Sequence, residues 1–188
     1  TIRIGPSISL GYCAQQQEVL HPERTLEQEL MSAGAGSRQE ALDLLARFLF
    51  RGDDVAKRVA DLSGGERNRL QLARLMLINP NFMILDEPTN HLDIQTCEAV
   101  EEALDDYRGT LLVVSHDRYF LENVVERVLE VRDGTIASYP GTYSEFWAQR
   151  SARDEATAAP SAPDEHAAQP ARRITAALRV WPDAPSHS

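Results

Sequence analysis

The sequence predicts an α/β domain built on a parallel sheet, and three observations carry that prediction. Two short apolar runs, residues 82–86 (FMILD) and 110–115 (TLLVVS), lack polar alternation, as strands covered on both faces do. Each run is followed by a stretch with helical periodicity, and strands alternating with helices assemble into parallel sheets. Polar residues stand at the carboxyl end of both runs: Asp86 and Glu87 on the first, Ser115 and His116 on the second. Sheets of this class bind ligands at that edge.

The remaining elements follow in order. Residues 7–12 (SISLGY) read as a strand and 25–31 (TLEQELM) as a short helix. Residues 38–50 read as a helix with Leu42, Leu45 and Leu49 on one face. A longer helix is expected from Ser63 to about Ile78, with Ser63 and Glu66 spaced as a capping box. Another spans about 94 to 107 and stops near Gly109. A short helix follows the second apolar strand. Residues 127–139 then read as a hairpin, because Asp133-Gly134 is a strong turn signal. A last helix begins near Thr142. The folded domain is thus expected over 1–150. Residues 151–188 hold five of the ten prolines and eleven alanines with few large apolar side chains, the composition of a disordered or loosely helical tail. Within it, 172–181 (RRITAALRVW) has the pattern of a short helix or docking segment, although a floppy tail is the simpler reading.

Composition narrows the function. The chain has 188 residues, 43% hydrophobic and 26% charged, which is ordinary for a soluble globular protein. A net charge of −10 argues against a general nucleic-acid or membrane-surface binder, though it leaves room for a local basic patch. Cys13 and Cys97 lack metal-ligand spacing and read as reduced, partly buried thiols of a cytosolic protein. No apolar run reaches the ~18 residues of a membrane span, and no signal peptide is visible. The chain begins at Thr1 rather than at a methionine, so a preceding segment is expected.

Several residues have the chemistry of a phosphate site. Asp86 at a strand end suits magnesium, which prefers hard oxygen ligands and keeps several waters. Glu87 beside it is placed to polarise an attacking water, and Pro88 holds Glu87 out of the helical region. Taken alone, two adjacent acids can equally be a polar turn. In LSGGE (62–66) the capping box accounts for Ser63 and Glu66 but not for Gly64 and Gly65. Glycine in a first helical turn costs stability and is useful where bare amides must approach an anion. His116 shares the sheet edge with Asp86 and Glu87, which makes phosphate sensing plausible, whereas a lone histidine is usually a satisfied polar residue. Gln15, alone, is a polar loop residue. What is missing is the phosphate holder itself. The usual glycine-rich loop ends in Gly-Lys-Ser or Gly-Lys-Thr, yet the one lysine, Lys57, follows Ala56.

The set taken together is specific. Gln15, LSGGE, FMILDE, HLD (91–93) and His116 occur in the order found in the nucleotide-binding domain of the ATP-binding cassette (ABC) superfamily. LSGGE resembles the signature motif, FMILDE the Walker B strand, HLD the D-loop, His116 the switch histidine and Gln15 the Q-loop glutamine. The fuller stretches LSGGERNRLQLARLML, DEPTNHLDI and VVSHDRYFL resemble the ABC-F group, soluble twin-cassette ATPases, many of which act on the ribosome. NFMILDEPTNHLDI and DGTIASYPGTYSEF are similar to the second, C-terminal cassette of such proteins. The resemblance covers residues 1–150 and implies a partial P-loop NTPase domain with a helical signature subdomain, in a cytoplasmic protein. It implies ATP and Mg2+ as ligands, with a second cassette and a ribosome as partners. It also assigns roles: Glu87 and His116 catalytic; Gln15, Ser63, Gly64, Gly65, Glu66 and Asp93 nucleotide-binding; Asp86 and Gln15 on the metal. In this family the Walker A loop precedes the Q-loop, so the sequence reads as starting after it.

Two expectations follow from that departure. The isolated chain should hydrolyse no ATP. The strand 82–86 should also carry an unpaired apolar flank, because the resemblance puts a Walker A strand beside it. Three other readings compete. A transporter cassette working in trans is disfavoured by TNHLD and HDRYFL. A chromosome-maintenance ATPase head is disfavoured because Gln15 lies only 47 residues before Leu62, with no heptad run between. A non-catalytic interaction module is weakly opposed by the intact Glu87 and His116.

Overall fold

The computed structural model describes residues 3–13, 20–132, 134–157 and 174–179. Its centre is a six-stranded sheet in the order β1-β2-β3-β6-β4-β5. The strands are β1 (Leu10–Cys13), β2 (Phe82–Asp86), β3 (Thr110–Val114), β4 (Arg127–Arg132), β5 (Thr135–Pro140) and β6 (Ile174–Arg179). The helices are α1 (Leu26–Ala33), α2 (Arg38–Arg47), α3 (Gly64–Ile78), α4 (Ile94–Asp105), α5 (Arg118–Val124) and α6 (Tyr143–Thr157). β1, β2 and β3 run parallel, with Leu10, Phe82 and Thr110 in register at one end and Asp86 opposite Val114 at the other.

Strand alternation explains how the sheet is layered. Met83, Leu85, Leu111 and Val113 point to one face and are fully buried, as are Phe120 and Leu121 of α5 and Leu72 and Ala73 of α3. α3 closes down on β1 at Gly11, where an added Cβ would lie 2.6 Å from Leu75 and 2.5 Å from Pro80, so only glycine fits. The opposite face is different. Leu10 and Tyr12 are exposed there, and Phe82, Ile84, Leu112 and Val114 are only half-buried. The parallel part of the sheet, β1–β3, therefore has one covered apolar face and one partly open one, whereas parallel sheets ordinarily bury both.

α1 and α2 pack beside α3 as a helical subdomain. Its organising group is Glu29, fully buried yet charged. Its carboxylate lies 3.0 Å from His21 Nδ1 and 3.3 Å from Arg24. Arg74 Nε of α3 stands 3.3 Å away as an ion pair without hydrogen-bond alignment. A buried charge persists only when it is paired in this way, so Glu29 ties the 20–24 loop, α1 and α3 together.

The structure corrects several expectations. β2 has no free flank: it pairs with β1 on one side and β3 on the other. The slot that needs filling lies one strand further on. β3 and β4 are both antiparallel to β6, so they are parallel to each other with one strand width between them. Residues 174–179, expected in a disordered or loosely helical tail, form β6 and occupy that slot. Two rows of backbone amides and carbonyls would otherwise go unpaired there. α6 also continues to Thr157, past the expected boundary at 150. α2 stops at Arg47, and its buried face is Ala41 and Leu45 followed by Phe48, not Leu42, Leu45 and Leu49. Leu49 itself takes φ +61°, which ends the helix. β1 begins at Leu10 rather than at residue 7. The hairpin is present as β4 and β5, while Asp133 of its turn, like Gln15, lies outside the described residues. Among the described residues no helix is long and apolar enough to cross a membrane.

Candidate nucleotide site

The carboxyl ends of β2 and β3 bring Asp86, Glu87 and His116 together. Asp86 closes β2 opposite Val114 and is half-buried. Glu87 then turns sharply, at φ +52°, a conformation that non-glycine residues adopt rarely and at a cost of about 1–3 kcal/mol. Hydrogen bonds hold it there: its N–H donates to the Val114 carbonyl at 2.8 Å, and its own carbonyl accepts from Asn90 N–H at 3.1 Å. His91, in the same loop, is also at positive φ, +63°. The Glu87 carboxylate faces His116 across the sheet edge. It accepts from the His116 backbone N–H at 3.4 Å, and the imidazole Nε2 lies 3.6 Å from Oε1. The Glu87 side chain is 22% exposed and that of His116 89%, so the acid is sheltered while the imidazole is free to swing. Behind them Ser115 is buried, and its hydroxyl accepts from Asp117 N–H, the residue that caps α5.

The second part of the site is the N-terminus of α3. The capping box forms as its spacing predicted: Ser63 Oγ accepts from Glu66 N–H at 3.3 Å, and Glu66 accepts from Ser63 N–H at 2.9 Å. Glu66 also accepts from the Ser63 hydroxyl and from Lys57. Its hydrogen bonds from Ser63, then the lysine, hold the Glu66 carboxyl below its ordinary range. Helix geometry leaves the N–H groups of Gly64 and Gly65 without intrahelical acceptors. The two glycines are not equivalent. Nothing stands within 4 Å of a Cβ built on Gly64, whereas one on Gly65 would lie 2.8 Å from the His91 carbonyl oxygen. Gly65 is therefore explained by packing against the 87–93 loop, and Gly64 is the position open to a ligand.

The other expected residues divide. Asp93 caps α4, accepting from Thr96 N–H at 2.8 Å, and that bond holds its carboxyl below the ordinary range. Cys13 ends β1 close to Asp86. Burial, then the Asp86 charge, pushes its thiol up to about 12, so it is chemically inert. Gln15, two residues beyond, lies outside the described residues. Asn68 was missed by sequence reasoning. It lies on α3 facing the 87–93 loop and donates to the Pro88 carbonyl at 2.8 Å. Only its place after the signature stretch could have flagged it.

The donor set fits magnesium bound together with a phosphate. Among the described residues no group of three or more His, Cys, Asp or Glu gathers to cage a metal. Asp86 with Glu87 beside it matches an ion that uses one or two carboxylates and completes its shell with phosphate oxygens and water.

Comparison with known proteins agrees with this geometry. Residues 5–90 match the family model for ABC transporters. The chain is 49% identical over 147 residues to a putative ATP-binding protein, YdiF, of Bacillus subtilis, covering 78% of this chain and 23% of that protein. It is 42% identical to ABC transporter F family member 5 of Arabidopsis thaliana, covering 70% and 19%. It is 37% identical to the energy-dependent translational throttle protein EttA of Escherichia coli, covering 78% and 27%. Among solved structures, it superposes on the dimeric ATP-binding cassette MJ0796 bound to ADP and phosphate with a TM-score of 0.58 at 25% identity, covering 71% of this chain and 63% of that one. The chain thus spans 19–27% of the length of these curated relatives. It has the ABC-ATPase fold, with a parallel core sheet and a helical subdomain, and sequence and fold together make it an ABC-F-type ATP-binding cassette region.

Proposed function

We propose that this chain is the catalytic portion of one cassette in a cytoplasmic twin-cassette ABC-F ATPase that works on the ribosome. The observation that carries the proposal is the pairing of a sheltered, backbone-strained Glu87 with an exposed His116 at the ends of adjacent parallel strands. Strained backbone at a strand end beside paired polar groups is a feature of reacting sites. The translation role is supported by likeness to a protein named as a translational throttle.

The residues divide the work as follows. Glu87 orients a water and accepts its proton, and its shelter strengthens that interaction. His116, paired with Glu87 in this structure, is free to turn toward a terminal phosphate. Asp86 and Gln15 would hold Mg2+, which, when bound, neutralises charge developing on the transferred phosphoryl group. Gly64 and Gly65, in the turn held by the Ser63–Glu66 capping box, present their amides to a nucleotide held by a second cassette. The phosphate-cradling loop must come from elsewhere, since no Gly-Lys-Ser or Gly-Lys-Thr stands in the 188 residues. The half-exposed sheet face of Leu10, Tyr12, Ile84 and Leu112 is a surface on which a segment bearing such a loop can pack.

A chimera tests the reading. This chain is exchanged for the matching 147-residue stretch of the Bacillus relative. Hydrolysis of ATP should be retained and should fall at least a hundredfold with Glu87→Gln. A folded chimera that hydrolyses ATP equally well with and without Glu87 refutes it. The 188-residue chain alone should hydrolyse none, so activity there that is abolished by Glu87→Ala would overturn the assignment of the missing loop.

A further inference from the structure

We propose that Asn68 is a positioning residue that links the anion-type terminus of α3 to the geometry of Glu87. The inference rests on the functional reading above and adds a residue to it. One side-chain amide touches two elements. Its Nδ2 donates to the Pro88 carbonyl at 2.8 Å, and its Oδ1 accepts from the Cys13 thiol at 3.9 Å. The orientation of the amide follows from its partners, since a carbonyl can only accept and so must face Nδ2.

The placement of these contacts gives them consequence. Pro88 follows Glu87, the residue held at φ +52°. Of the hydrogen bonds that fix this turn, the Val114 contact comes from the sheet and the Asn90 contact from the turn itself. The bond from Asn68 arrives from the helix layer. A second contact runs the same way: Gly65, one turn earlier on α3, seats against the His91 carbonyl with no room for a methyl group. The first two turns of α3 and the 87–91 loop therefore move as one body. Cys13 extends the linkage to the end of β1, two residues before Gln15. A phosphate drawn onto the amides of Gly64 and Gly65 pulls on the element that holds the Glu87 turn. In a paired-cassette protein, occupancy of one site would in this way set the water-orienting acid of the other.

Hydrogen exchange and NMR on the full 188-residue chain test the proposal. Asn68→Asp keeps an acceptor for Cys13 but sets a carboxylate oxygen against the Pro88 carbonyl. It should speed exchange of the amides of residues 89–92 roughly three- to tenfold, the range for loss of one hydrogen bond. The amides of β2, β3 and the last two turns of α3 should be unchanged. The ring signals of His116 should move toward those of Glu87→Gln, a change that simple loss of packing would not produce. If Asn68→Asp does not fold, Asn68→Ala carries the same expectations. Unchanged exchange over 89–92, or an equal rise throughout α3 and both strands, overturns the proposal. A separate arm adds Mg-ATP to the Bacillus chimera, which supplies the phosphate loop and the second cassette, and follows hydrogen exchange at Gly64 and Gly65. Absence of any protection there counts against the nucleotide reading and leaves the Asn68 result to be judged by exchange in the 188-residue chain alone.

Discussion

Replacing Gly64 and Gly65 in turn by alanine separates a glycine kept for a ligand from one kept for packing. Both take ordinary negative φ in the first turn of α3, so alanine is unstrained at either and gains about 0.5–1 kcal/mol of helix propensity. That gain is common to both variants. The difference between them is steric. At Gly64 the new methyl group meets nothing within 4 Å, while at Gly65 it lies 2.8 Å from the His91 oxygen, where ordinary contact begins at 3.4 Å. A backbone oxygen on a strained loop must then yield by about 0.6 Å, and overpacking of this kind costs about 1–3 kcal/mol. For a chain of this size 1 kcal/mol moves the melting temperature by about 2–4 °C. Gly64→Ala should therefore melt slightly above the unmutated chain, and Gly65→Ala about 2–12 °C below Gly64→Ala, by circular dichroism at matched concentration. In the Bacillus chimera the ranking should invert for catalysis at Gly64: the more stable variant should lose at least tenfold in ATP hydrolysis, because its methyl group stands before the bare amides. Equal melting temperatures for the two variants would refute the packing argument. Full hydrolysis by Gly64→Ala would refute the ligand argument.

Five further outcomes are expected. Glu29→Gln leaves Arg24 and Arg74 facing a neutral amide in a buried site and should cost about 3–5 kcal/mol in urea unfolding, with little change in the slope. Ser63→Ala should cost about 1 kcal/mol through loss of the cap. Because the folded Glu66 carboxyl lies below its ordinary value, the stability it adds is present above the ordinary glutamate range and lost as pH falls through the lower folded value; Glu66→Gln should flatten that part of an acid-melting curve. Cys13, with its thiol pushed up to about 12, should resist iodoacetamide at pH 8 until the chain is unfolded. Deleting residues 174–188 should open facing edges on β3 and β4 and shift the chain from monodisperse to aggregating in light scattering.

How much of this was legible in the sequence depended on how local each determinant is. β2 and β3 were readable because an apolar run flanked by polar turns needs only its own residues to declare itself. The α3 cap was readable because Ser63 and Glu66 satisfy each other across one turn, and the structure forms both bonds. α2 was overextended because counting leucines ignores what lies opposite: the helix buries Ala41 and Leu45, and Leu49 leaves it at positive φ. β6 was invisible for a stronger reason. Nothing in residues 174–179 announces a strand until β3 and β4 stand one strand apart, more than forty residues earlier in the chain.

The site shows the same division. Motif order placed Asp86, Glu87 and His116 at one sheet edge, but not the φ of +52° that turns Glu87 toward His116. That angle is fixed by groups that look unremarkable in sequence: the Val114 carbonyl, Asn90 N–H and the Asn68 amide. It also changes the meaning of a motif residue. Gly64 and Gly65 are adjacent and identical in sequence, and the structure leaves one in open space and seats the other against the His91 carbonyl. A motif read as a single anion-binding unit is thus two devices sharing one helical turn. One presents amides outward, and the other locks the same turn to the loop that carries Glu87. The pair of glycines is what allows a contact on one side of α3 to be felt at Glu87 on the other.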